Sequence, residues 1–88
     1  MNHVLPVTAE NFQAEVLESS IPVLVDLYAT WCGPCRMLAP VLERLATELD
    51  GQVKFVKIDT DEQPTLAEAF RVSSIPMLAL IKDGQVVD

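Results

Sequence analysis

The stretch ATWCGPCRMLAP, Ala29–Pro40, contains both cysteines of the chain, Cys32 and Cys35, and its reading decides what the rest can be. A strand-like run, IPVLVDLYA (Ile21–Ala29), leads into it and a helix-like run leads out. Between the thiols, Gly33 frees the chain to turn, and Pro34 suits the first helical position, where a missing N–H costs nothing. Cys32 is therefore expected just ahead of a helix N-terminus. Unpaired N–H groups and the positive end of the helix dipole would face its sulfur, and both favour thiolate over thiol. Cysteines so placed titrate at roughly 3.5 to 7.5 rather than about 8.5, which makes Cys32 the expected nucleophile. Cys35 lies one turn further in. Side chains at i and i+3 on a helix have Cβ atoms roughly 5 to 6 Å apart, near enough to bridge after small adjustments. Cys35 suits the resolving role.

Working outward, the run Ile21–Ala29 is apolar on both faces and too short for a helix, the pattern of a central strand covered on each side. Asp26 alone breaks it. A carboxyl there could be an ordinary solvated one at a strand edge, but apolar neighbours on both sides predict burial. Burial raises its pKa and leaves it able to take a proton near neutral pH. Upstream, VTAENFQAEVLES predicts a helix from about Ala9 to Ser19 with Thr8 as N-cap. Downstream, Leu38, Leu42, Leu45 and Leu49 predict an amphipathic helix of about four turns, with Pro40 inside it expected to kink it and Gly51 to stop it. VKFVKID reads as a strand, TDEQPTLAEAF as a short capped helix, and MLALI as a strand after Ile75-Pro76. KDGQ reads as a two-residue hairpin turn before a returning strand in VVD. Alternating element types make this an α/β chain, with a partly parallel sheet flanked by helices and closed by an antiparallel hairpin.

Composition narrows the function. The 88 residues are half apolar, with a formal net charge of −7, which suits one small folded domain and offers no basic stripe for phosphates or anionic lipid. Nucleic acid and membrane surface are both disfavoured as partners. MNHVLPVTAENF carries no basic n-region or long apolar h-region, and no run reaches the eighteen or so apolar residues of a membrane span, so a cytoplasmic protein is expected. In a reducing compartment a close cysteine pair is more often catalytic or metal-binding than a structural staple. A zinc site would need four ligands, and His3 is the only histidine beside the two thiols.

WCGPC after a strand, Ile-Pro some forty residues on and an Asp-Gly hairpin after that resemble the thioredoxin family, from the N-terminal helix to Asp88. Thioredoxin is itself among the proteins that define the lowered cysteine pKa range used above. The resemblance implies a thioredoxin fold, a central mixed sheet flanked by helices, with residues 1–88 as a single domain. It implies a protein-disulfide reductase whose thiols cycle through a mixed disulfide. No metal or organic cofactor is needed: the redox-active disulfide of Cys32 with Cys35 is the reacting group. Protein disulfides are its substrates, and its own reducer is thioredoxin reductase, an NADPH-dependent flavoprotein. Catalytic residues are then Cys32, Cys35 and Asp26, with Lys57 lying near Asp26 to tune its charge. Trp31, Gly33, Pro34, Ile75 and Pro76, the last with a cis peptide bond, form the surface that docks substrate chain. Two positions depart from the family: Met77 stands where threonine is common, and Ser74 where glycine is.

Other residues have plainer readings. Lys57 could snorkel to solvent from its strand, and Arg36 is an exposed charge to which no catalytic role is given. Trp31, directly before a thiol at a strand–helix junction, is better placed as a platform than as core. DTDEQP lacks the glycine and distal glutamate of a calcium loop and reads as a solvated helix cap. A rival function keeps the same fold and cysteines, as a binding module at the N-terminus of a larger co-chaperone-type protein; disulfide reduction by the isolated chain separates the two. After the hairpin only QVVD follows, so the resemblance further implies a chain lacking the family's last strand and C-terminal helix. Self-association is expected through the sheet face left uncovered, with Met77–Ile81 and Leu42–Leu49 exposed.

Overall fold

The structure is a computed structural model that describes residues 3–88. Strand β1 (Val4–Pro6) leads to a single-turn π-helix (Gln13–Leu17), then β2 (Val23–Tyr28), helix α1 (Gly33–Glu48), β3 (Lys54–Asp59), helix α2 (Pro64–Ala69), β4 (Met77–Lys82) and β5 (Gln85–Val86). The five strands make one sheet in the order β1-β3-β2-β4-β5. β1 and β2 both pair parallel with β3, while β2–β4 and β4–β5 are antiparallel. The α/β architecture and mixed sheet expected from the sequence are thus borne out.

Alternation along each strand sorts the side chains onto two faces. Val23, Val25 and Leu27 of β2, Val56 and Ile58 of β3, and Ala79 and Ile81 of β4 form one buried cluster with Val16 of the π-helix and Leu66 of α2. Phe55 of β3 and Val4 of β1 pack on the opposite face against Leu42 and Ala46 of α1. The π-helix and α2 therefore cover one face and α1 the other.

Three sequence readings need correction. The first helix is short: Thr8 caps only a turn, its hydroxyl accepting from the Glu10 amide at 3.2 Å, and the helical residues follow with an i+5 bond from the Glu18 amide to the Gln13 carbonyl. The Lys54–Glu15 ion pair ties this turn to the start of β3. β1 had no signal in a three-residue segment carrying Pro6, and exists because its neighbour β3 supplies the pairing edge. In α1 the buried residue after Leu42 is Ala46, at 4 % exposure, and Leu45 is exposed at 37 %. A 3.6-residue helix closely packed on a sheet brings i+4 inward and lets only a small side chain sit there. Pro40 lies inside helix α1, as the sequence indicated.

The expected exposure of Met77–Ile81 and Leu42–Leu49 holds only in part. Ala79, Ile81, Leu42 and Ala46 are buried, whereas Leu78 and Leu45 are exposed. Asp83 and Gly84 both have positive φ, 53° and 77°, as the predicted hairpin turn requires. The Val87 amide donates back to the Leu80 carbonyl.

Candidate active site

Both thiols sit where β2 gives way to α1. Cys32 is the N-cap, in an extended conformation, and its Sγ accepts a hydrogen bond from the Cys35 amide at 3.2 Å. Its carbonyl accepts the first helical bond, from the Arg36 amide. Gly33 and Pro34 fill the first turn, where an absent N–H leaves no bond unmade. Gly33 has no positive φ, and a Cβ built there would meet nothing within 4 Å, so the turn does not need its conformational freedom. Cys32 and Cys35 are joined as a disulfide, with Cα atoms 5.2 Å apart. Each is only 4 % exposed, so burial does not distinguish them; the amide bond to Cys32 does. Ala29 lies buried beside them, with Tyr28 and Ile75 packed against the group.

Asp26 lies behind the cysteines on β2, 6 % exposed, and its Oδ1 is buried with no hydrogen-bond partner. In the parallel register it stands directly opposite Lys57 of β3. Both line an open cavity of about 230 Å³ that reaches Cys35 and is also lined by Tyr28, Ala39 and Arg36. Burial pushes the Asp26 carboxyl up to about 6, against an opposing pull from the Lys57 ammonium. Desolvation wins because no donor meets the buried oxygen. The Lys57 ammonium lies over the Tyr28 ring, 5.9 Å from its centroid. Arg36 is turned away, its Nη1 donating to the Thr30 carbonyl at 2.8 Å.

Trp31 stands out from the surface at 66 % exposure, held by a hydrogen bond from its Nε1 to Oδ2 of Asp61 at 2.7 Å. Asp59 shapes that loop by accepting from the amides of Asp61 and Glu62. The DTDEQP segment is thus more than a helix cap, and Asp61 is a site-side residue that the sequence reading missed. The available signal was topological: adjacent parallel strands bring their C-terminal loops together, so the loop after β3 must flank the loop after β2. The Ile75-Pro76 peptide bond is cis, at the start of β4 beside the thiols. Ser74 is exposed and Met77 packs on the buried cluster. His3 bonds to Thr47 on α1, and among the described residues no cluster of His, Cys, Asp or Glu has the makings of a metal site. Nor is any described helix long and apolar enough to cross a membrane.

A disulfide closed across the first turn of a helix exchanges two electrons with other thiol pairs, and the class this defines is that of the thiol–disulfide oxidoreductases. Comparison with known proteins makes it specific. The family model described as Thioredoxin matches residues 3–88. Thioredoxin 1 of Synechococcus elongatus is 54 % identical over all 88 residues, which span 82 % of that protein. The thioredoxin of Haemophilus influenzae is 49 % identical over 87 residues, 99 % of this chain and 81 % of its own length. That of Mycobacterium bovis is 53 % identical over 83 residues, 94 % and 72 %. The chain belongs to the thioredoxin family and is a protein-disulfide oxidoreductase working through its cysteine pair. Disulfide substrates and a reductase that returns electrons follow from the family; the co-chaperone reading has no support.

Proposed function

We propose that the chain is a single-domain reductant of protein disulfides in which Cys32 attacks, Cys35 resolves and Asp26 handles the proton. The Cys32 thiolate displaces one sulfur of a substrate disulfide, so that a substrate thiolate leaves and a mixed disulfide forms. Cys35 then yields its proton to Asp26 and attacks Cys32 Sγ. The substrate's second thiolate leaves, two electrons have passed to the substrate, and the Cys32–Cys35 disulfide remains. The observation that carries the assignment is the Cys35 amide bonded to Cys32 Sγ at the head of α1, which favours negative charge on that sulfur alone. Lys57 tunes Asp26. Trp31, Gly33, Pro34, Ile75 and Pro76 form the docking surface, where an open Gly33 leaves room for a substrate backbone. The reducer is thioredoxin reductase, an NADPH-dependent flavoprotein, and the compartment is the cytoplasm, where a free dithiol persists.

Iodoacetamide labelling of the reduced chain at mildly acidic pH tests the roles, with Cys32 expected to react first. Cys35→Ser should accumulate mixed disulfides with substrate while Cys32→Ser accumulates few; equal labelling or reversed trapping refutes the assignment. Leu78 and Val87, at 43 % and 55 % exposure, are where a second copy would dock. Sedimentation at micromolar concentration should show self-association that Leu78→Glu weakens; a monomer throughout removes that reading.

A further inference from the structure

Lys57 stands opposite Asp26 in the register, yet among the described residues it makes no salt bridge and its side chain no hydrogen bond. Its one directional contact is the face of Tyr28, two residues after Asp26 on the same strand and so on the same side of the sheet. The other charges around it are either engaged or lie toward the ring. On α1, Arg36 is held on the Thr30 carbonyl, and Glu43 accepts from the amides of His3 and Val4 at 2.8 and 3.1 Å. Asp59 of β3 and Glu62 of the following loop act on Tyr28; with burial, the largest cause, they push the phenol up and keep the ring neutral. From β4, Asp26 is faced by Leu78, which brings no charge.

We propose that Tyr28 is a positioning residue, whose ring face holds the Lys57 ammonium within electrostatic reach of Asp26. An ammonium over an aromatic face keeps part of its hydration, so the ring anchors it at the cavity it shares with Asp26. From there it opposes, without overcoming, the burial of the carboxylate. The ring thus sets how readily Asp26 takes a proton, an inference that rests on the proton-handling role given to Asp26 above.

The sign of the effect separates this role from simple packing. An aliphatic side chain at position 28 frees the ammonium into solvent and raises the Asp26 midpoint, by roughly half a pH unit for a contact of this kind. If Tyr28 only shielded Asp26 from water, its loss would admit water and lower the midpoint. Carboxyl carbon NMR of Asp26 across pH 4–9 reads this in the full reduced chain. Tyr28→Leu and Tyr28→Met should raise the midpoint and Tyr28→Phe should restore it. In a Lys57→Met background, Tyr28→Leu should raise it no further. An unchanged or lowered midpoint in the aliphatic variants, or the same rise without Lys57, overturns the proposal. Should neither aliphatic variant fold, the aromatic pair decides: Tyr28→Trp holding the midpoint below that of Tyr28→Phe supports it, and equal midpoints overturn it. The titration is independent of turnover. A turnover unaffected by Asp26→Asn would sink the proton-handling role and leave the Tyr28 result standing.

Discussion

The two faces of the sheet carry different chemistry although the same strands supply both. Toward the π-helix and α2 the strands present Val23, Val25, Leu27, Val56, Ile58, Ala79 and Ile81, all buried and none charged. Toward α1 the alternate positions are Leu24, Asp26 and Tyr28 on β2, Phe55 and Lys57 on β3, and Leu78 and Leu80 on β4. Only Phe55 and Asp26 of these are buried, and a cavity lined by Asp26, Tyr28 and Lys57 reaches Cys35 on α1. One face therefore holds the fold together, and the other holds a carboxyl that no close-packed apolar layer would accept. A period of two along a strand is what permits this, because a polar residue on one side leaves its neighbours on the other side untouched.

The largest effect that could break the comparison is a cavity in the closed face. Ile58→Ala should cost about 3 kcal/mol, read from the urea midpoint, whereas the half-exposed Leu78→Ala should cost well under about 1 kcal/mol. Similar losses at the two positions would mean that both faces are equally close-packed.

Next comes Asp26→Ala, which should stabilise. The unfolded chain releases this proton near 3.8 and the folded chain only near 6, so stability is greatest below the lower value, declines between the two and is level above. Replacing Asp26 should gain on the order of 2 kcal/mol at pH 8, judged from the lost difference in proton affinity. The gain should vanish in melts below pH 4, and turnover should slow. A variant no more stable at pH 8 than the parent would show that Asp26 is solvated.

A smaller change is expected at the rim. Asp61→Ala removes the acceptor for the Trp31 indole and should cost about 0.5 to 1 kcal/mol or less, while loosening Trp31. Tryptophan fluorescence anisotropy should fall, and the KM for a protein disulfide should rise with little change in kcat.

Smallest is Glu43→Gln. Amide bonds, chiefly from His3, hold the Glu43 carboxyl below its usual 4.5, so its contribution is complete above that value and lost as pH falls through the folded one. A few tenths of a kcal/mol is the expected cost for so open a group, seen as faster hydrogen exchange at the Val4 amide near neutral pH. No change in that exchange would show that β1 is held by β3 alone.

Local chemistry was enough for the sequence by itself to determine the central features of this protein. Cys32 and Cys35 sit at a strand–helix junction because the apolar strand run ends just before them and Pro34 suits the first turn of the helix that follows. Burial of Asp26 is expected because the apolar run around it marks a strand covered on both faces, which puts a helix over its side too. The chain reverses at Asp83-Gly84 because positive φ favours those residues. What tertiary structure decided depends on partners far off in sequence. β1 exists only beside β3, Glu43 meets His3 across the chain, Trp31 finds Asp61, and Lys57 settles on Tyr28 rather than on Asp26. The choice of Ala46 over Leu45 for the buried face of α1 belongs with them, since it follows from how closely that helix approaches the sheet. A residue's own propensities set its backbone, but which side chain faces it is fixed by the register of strands and the seating of helices. Those are settled only when the whole core packs at once.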